Sequence, residues 1–152
     1  MDGFELMKTF HVLAAVVWVG GAATVQVLAT RLQRQNDPQR LAAFSKDIEW
    51  VGKRIYTPAS ILVLLLGIGM TVDAYEFSDL WIILALAGIA FSIIIGAGYL
   101  GPTSGKLGKL IEERGAEDPE AQKTLARILA VSRIDLLILL LIVVDMVVKP
   151  GL

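Results

Sequence analysis

Few side chains in this sequence could do chemistry, and most lie in apolar surroundings. His11 is the single histidine and cysteine is absent. Thiolate catalysis, disulfides, cysteine-ligated metal and a multi-histidine cage within one chain are therefore excluded. A lone imidazole can relay protons, ligate haem iron or hydrogen-bond a carboxylate. At roughly 100° per residue, His11, Ala15, Trp18, Ala22 and Gln26 fall on one helical stripe. Its small residues leave room for a flat ring or a neighbouring helix, with Trp18 as a packing residue or a contact to a bound ring. As a metal ligand His11 would need help from Met7, Met70, Met146, a histidine of another subunit, or an open coordination site. No nucleophile–base pair, phosphate-binding glycine loop or nucleophile elbow is present.

The elements that position these residues are membrane spans. The chain is 55% hydrophobic with only 19% charged residues and a mean hydropathy of +0.66. A water-soluble domain of this length carries more charge and shorter apolar runs. A bilayer crossing needs about 20 mostly apolar residues, and four segments qualify: Thr9–Thr30, Ile55–Val72, Leu80–Leu100 and Ile128–Val148. The expected fold is all-α, a single transmembrane domain over residues 1–152 forming a four-helix bundle with short amphipathic cytoplasmic helices. The first segment lacks a basic leader, with Asp2 and Glu5 against Lys8, so it reads as a retained span and not a signal peptide. With a net charge of −1 and no basic patch interleaved with aromatics, nucleic acid is not an expected partner. The lipid bilayer is, with a homodimer or larger membrane complex also open.

Lysines and arginines set the expected orientation. Arg31, Arg34, Arg40, Lys46, Lys53 and Arg54 follow the first span, and Lys106, Lys109, Arg114, Lys123 and Arg127 follow the third. The middle loop "DAYEFSD" has neither residue type. Both basic loops then face the cytoplasm and both termini face outward, as in a multi-pass protein of a bacterial cytoplasmic membrane. Ionisable groups within spans cost roughly 2.5–3.5 kcal/mol each, and here they sort into two layers. His11 lies level with Asp145 near the outer boundary, joined by Lys8 and Lys149. Arg54, Tyr56, Tyr99, Arg133 and Asp135 form an inner layer, with Gln26. Only "LLILLLIVV" separates Asp135 from Asp145, so at least one carboxyl sits at hydrocarbon depth and must find a partner. Arg133 is too close in sequence to face Asp135, which makes Arg54 the expected partner. The network is an ion pair fixing register, or a proton path joining the layers.

The basic loops carry helix signals of their own. Asp37 and Pro38 open one helix, which lies on the inner surface or runs into span two. Asp118 and Pro119 open another that continues into span four. Between them "SGKLGKLIEERG" reads as a short amphipathic helix ended by Gly115. Pro58 is expected to kink the start of span two, and Gly67, Gly69, Gly98 and Gly101 read as packing or bending points. Gly88, Ser92 and Gly96, four residues apart, make a small-residue ridge suited to close packing within the bundle or to a dimer seam. The shared plan of the two halves is compatible with duplication or with independent capping.

Residues 11–21, "HVLAAVVWVGG", have the form H-x6-W-x-G-G and follow Lys8. This resembles the opening helix of the copper-resistance D membrane domain and of HemJ-type protoporphyrinogen oxidases. With "EWVGKRIYTPAS", "GAGYLGP" and "RIDLLILLLIVVDMVVKPG", nearly the whole chain is similar to a related bacterial family of four-span proteins with no assigned function. The HemJ resemblance implies haem b held by His11, with Trp18 and Met146 as further candidate contacts. The lysine that HemJ proteins carry on a later span has no counterpart in "LWIILALAGIAFSIIIGAGYL". Three functions follow as expectations: a haem-binding, redox-linked protein; a small proton- or metal-coupled transporter using His11, Asp135 and Asp145; or a non-catalytic membrane subunit.

Overall fold

The computed structural model describes residues 2–35 and 37–151, and the described residues are almost wholly helical. Helix α1 spans Gly3–Ala15, α2 Gly21–Gln35, α3 Pro38–Val51, α4 Thr57–Ala74, α5 Leu80–Ile95, α6 Gly101–Arg114 and α7 Pro119–Val148. Pairs of these join end to end through wide helical turns at Val16–Gly20, Gly52–Tyr56 and Gly96–Leu100. The molecule is therefore four rods: α1–α2, α3–α4, α5–α6 and α7. The expected surface helices are continuations of the spans, including "SGKLGKLIEERG", which prolongs the third rod and ends at Gly115 in a positive-φ conformation.

Local chemistry explains the ends. Asp2 and Glu5 form a reciprocal capping box at α1. Asp37 accepts from the Arg40 N–H, and Asp118 from those of Glu120 and Ala121, each ahead of a proline in the first turn. Pro58 and Pro102 each sit in the first turn after a wide turn. A proline ring clashes with the carbonyl four residues back and donates no N–H, and a wider turn relieves that clash. The rod at Pro58 thus stays continuous, with its irregularity just before the proline.

Three rods are long and apolar enough to cross a membrane: Gly3–Gln35, Gln39–Ala74 and Leu80–Arg114. The fourth, 30 residues of α7, carries Arg133, Asp135 and Asp145 through its apolar stretch. Large apolar side chains face outward on all four rods, among them Val16, Val72, Ile94 and Val147, the last 80% exposed. In water this would be a severe liability, and in lipid it is the favourable surface.

Two apolar clusters lie end to end. One joins Ala14, Trp18, Ala59, Val63, Ile89 and Leu139. The other, towards the basic loops, joins Ala29, Leu41, Leu107, Ile111, Leu125 and Leu129. Gly88 lets α5 close on α7: a Cβ there would lie 2.7 Å from Ile142 Cδ1. The ridge thus serves packing within the bundle at Gly88 and Ser92, whereas Gly96 falls in a wide turn with no described neighbour within 4 Å of an added Cβ.

Candidate functional site

At the end away from the basic loops, α1, α4, α5 and α7 enclose a groove of about 170 Å3. Its walls are apolar (Val12, Val63, Leu64, Ile89), and its polar members are His11, Lys8, Trp81, Tyr75 and Lys149. Met70 and Met146 also line it. His11 is buried, with the Val63 backbone facing its ring. The Nδ1 edge lies against Gly67, where a Cβ would stand 3.2 Å from Cε1 and 3.5 Å from Nδ1. Gly67 is therefore the residue that lets the imidazole lie against α4. His11 Nδ1 and Trp81 Nε1 are both buried without a hydrogen-bond partner among the described residues. Such groups are costly and uncommon.

The mouth of the groove is a polar–aromatic latch. Lys149, in a left-handed conformation that ends α7, places Nζ 2.8 Å from the Tyr75 hydroxyl. The same ammonium lies 4.5 Å from the Tyr75 ring centre and 4.7 Å from that of Trp81. The two rings meet edge to face at 4.9 Å, and Phe4 approaches Tyr75 from α1. Cation–π attraction and the aromatic pair together fasten the ends of three rods and the start of α5. Aromatic residues with a lysine at this level are the usual furniture of a membrane boundary.

The structure only partly assembles the expected network. Lys8, His11, Met146 and Lys149 share the groove. His11 and Asp145 do not bond: both Asp145 carboxyl oxygens are buried without a partner among the described residues. The depth counted from the sequence does not fix which side of a helix a residue faces. Asp135 is buried and takes the Ser92 hydroxyl at 2.5 Å, so the expected Arg54 pair is not formed and Arg54 is exposed. The close approach of α5 to α7 is what brings Ser92 there. Gln26 accepts from Ser132 at 2.6 Å. Arg133 is exposed and lines a separate cleft with Arg31 and Arg34. Trp18 packs in the apolar cluster and does not line the groove around His11.

Whether haem b suits this groove can be asked of the residues present. An unpartnered imidazole nitrogen, two thioethers and two lysines form a reasonable donor set for iron and propionates. The space does not match as packed, because Gly67 closes the Nδ1 edge and the groove is below the roughly 300–1,000 Å3 usual for ligand sites. A macrocycle would require the imidazole to turn away from α4. Among the described residues no cluster of three or more histidine, aspartate or glutamate side chains could hold a metal ion.

Sequence reasoning passed over Trp81 and Tyr75, and took Gly67 as a packing or bending point without its contact to His11. The aromatics in and just after the loop without lysine or arginine, in "DAYEFSDLW", were the available signal for the first two. For Gly67 nothing short of helix packing would have served.

Outward apolar faces, inward polar groups and a boundary latch define a multi-pass helical integral membrane protein. The sequence pattern of one family, predicted integral membrane protein (DUF2269), matches residues 5–150, and the chain belongs to that family. No curated protein and no solved structure matches the chain. The copper-resistance D and HemJ likeness therefore rests on residues 11–21 alone.

Proposed function

We propose that this protein crosses the membrane four times, with both termini outside, and binds a membrane-soluble amphiphile in the groove around His11. For the fourth crossing, the supporting feature is the sidedness of α7. Ile134, Leu137, Leu141, Val144 and Val148 face outward, while Asp135 is buried and the Asp145 carboxyl oxygens are inaccessible. The two carboxyls of this helix are turned inward, which is how intramembrane ionisable residues are accommodated.

The observation that carries the binding reading is the pair of buried, unpartnered nitrogens, His11 Nδ1 and Trp81 Nε1, on residues lining one groove. A carbonyl or carboxylate head would accept from the indole N–H near Lys8 and Lys149. Only the head would occupy the groove of about 170 Å3, and an apolar tail would leave past Val12 into lipid. The test is native mass spectrometry of the full chain extracted in mild detergent. Wild type should retain an acidic or carbonyl-bearing amphiphile that His11→Ala and Trp81→Phe each lose. Retention by both variants, or no adduct in the wild type, would overturn the reading.

Haem b at His11 has candidate donors in the imidazole, Met70 and Met146, but the groove as packed does not favour it, because the ring would have to turn away from α4. It requires a Soret band that His11→Ala removes, and a colourless preparation from haem-replete cells ends it.

A further inference from the structure

The cations on the basic side fall into three groups. Arg54, Lys106, Lys109, Lys123 and Arg127 neither form an ion pair among the described residues nor line a common cleft. Arg40, Lys46, Lys53 and Arg114 each face a carboxylate: Asp37, Glu112, Glu49 and Glu120 respectively. Arg31, Arg34 and Arg133 form no ion pair among the described residues and converge on one cleft of about 490 Å3 between α2 and α7. Arg31 and Arg34, three residues apart, share a face of α2, and Arg133 comes from α7. Like charges at this spacing repel. Gln26, which also lines the cleft, has its carbonyl engaged by Ser132 and its amide nitrogen unpartnered among the described residues. An orienting charge bias needs cations anywhere near the boundary. It does not need three guanidinium groups from two helices on a single cleft.

Depth selects the anion. About 20 residues cross the hydrocarbon layer, so a rod entering at Lys8 leaves near Leu28, and Arg31 and Arg34 follow within two turns. Counted back from Lys149, the same length reaches Leu129. Arg133 thus lies about one turn inside the boundary, where a long side chain reaches back to the headgroup layer. Val27, which lines the cleft, and Ile134, next in sequence to Arg133, are 67% and 55% exposed, so both present apolar surface to lipid. Guanidinium groups pair bidentately with phosphate.

We propose that this cleft binds the headgroup of an anionic phospholipid from the leaflet on the basic side. Arg31, Arg34 and Arg133 hold its phosphate, and its acyl chains lie along Val27 and Ile134. The site is remote from the groove around His11 and does not depend on what that groove binds.

The test uses the full chain in a mild non-ionic detergent, titrated with phosphatidylglycerol, phosphatidylcholine or inorganic phosphate. Retained lipid is read by native mass spectrometry and stabilisation by thermal unfolding. Phosphatidylglycerol should bind and raise the unfolding temperature, and the other two should not. Each basic residue at an anionic lipid surface contributes about fivefold in affinity. Replacing all three arginines by Gln should therefore weaken binding about 100-fold, and Arg133→Gln alone about fivefold. Removing equal charge elsewhere on the basic side, in a K106Q/K109Q/K123Q variant, should leave binding unchanged. Should the triple variant fail to insert, Arg133→Gln alone decides. Undiminished phosphatidylglycerol binding by Arg133→Gln, an equal loss in the lysine variant, or equal stabilisation by inorganic phosphate would each overturn the proposal.

Discussion

Gly20 and Gly21 are adjacent in "WVGG" but have different surroundings, and this yields a quantitative prediction. A Cβ on Gly20 meets nothing described within 4 Å. On Gly21 it would stand 2.6 Å from Tyr56 Cε1 and 2.8 Å from the Tyr56 hydroxyl. Comfortable carbon contacts are about 3.5–4.0 Å, so the ring or the helix must retreat by about 1 Å. The ring is rigid and packs against the cluster that contains Trp18, Ala59 and Val63. Overpacking of this kind costs about 1–3 kcal/mol, against an intrinsic helical gain of up to about 1 kcal/mol for glycine to alanine. That gain is common to both positions. Gly21→Ala should therefore be less stable than Gly20→Ala by about 1–3 kcal/mol, as read by reversible unfolding in mixed micelles followed by circular dichroism. Tyr56→Phe keeps Cε1 and should not rescue Gly21→Ala. Tyr56→Ala removes the obstacle and should recover most of the difference, as a coupling in a double-mutant cycle. Equal stabilities for the two alanine variants, or strict additivity with Tyr56→Ala, would refute the reasoning.

Ser92→Ala should destabilise by about 1–3 kcal/mol, because it strands the buried Asp135 carboxyl that now takes the Ser92 hydroxyl at 2.5 Å. In an S92A/D135L variant the cost of the first change should largely vanish. Lys149→Met removes the ammonium from the Tyr75 and Trp81 rings and should cost about 0.5–2 kcal/mol, with Tyr75→Leu non-additive to it in the same unfolding assay. Gly67→Val would press into the His11 ring and should abolish amphiphile retention in native mass spectrometry while leaving the helical circular dichroism signal intact. The absence of cysteine makes single-cysteine labelling unambiguous: Gly151→Cys should react with an impermeant maleimide from outside intact cells, and Lys109→Cys only after permeabilisation. The reverse pattern would invert the proposed orientation.

Helix boundaries were readable where a local signal exists. Asp37–Pro38 and Asp118–Pro119 mark their helix starts because capping is decided by residues within one turn, and Gly115 marks an end for the same reason. The wide turns were not readable, since no single residue type encodes them. Only the expected kink at Pro58 and the packing or bending points at Gly98 and Gly101 hinted at an irregularity. The polar pairings failed for a different reason. Counting residues gives depth in the membrane, which is why His11 and Asp145 come out level. It does not give azimuth, which is set by how helices pack. Arg54 looked like the natural partner for Asp135 on charge alone. The small-residue ridge decided otherwise by bringing Ser92 to Asp135, and an exposed boundary arginine gains nothing by entering the hydrocarbon.

Azimuth also explains why the three wide turns belong together. Each widens the helical turn and rotates the rest of its rod about the axis, so that one rod can present different faces above and below. Leu41 and Ala59 are 18 residues apart, which is five whole turns of a regular helix. Both are buried, on opposite sides of the turn at Gly52–Tyr56, Leu41 in one apolar cluster and Ala59 in the other. The main partner shifts at every wide turn while other contacts persist. α1 packs on α4 and α2 on both α7 and α3, α3 packs mainly on α6 and α4 mainly on α1, and α5 packs mainly on α7 whereas α6 packs mainly on α3 and also on α7. The turn at Gly52–Tyr56 touches both of the others, so the change of partner occurs at one level across the bundle. The groove around His11 lies on one side of that level and the arginine cleft on the other. A substitution that alters one can therefore leave the other intact, provided it spares the glycines and prolines that hold the crossover together.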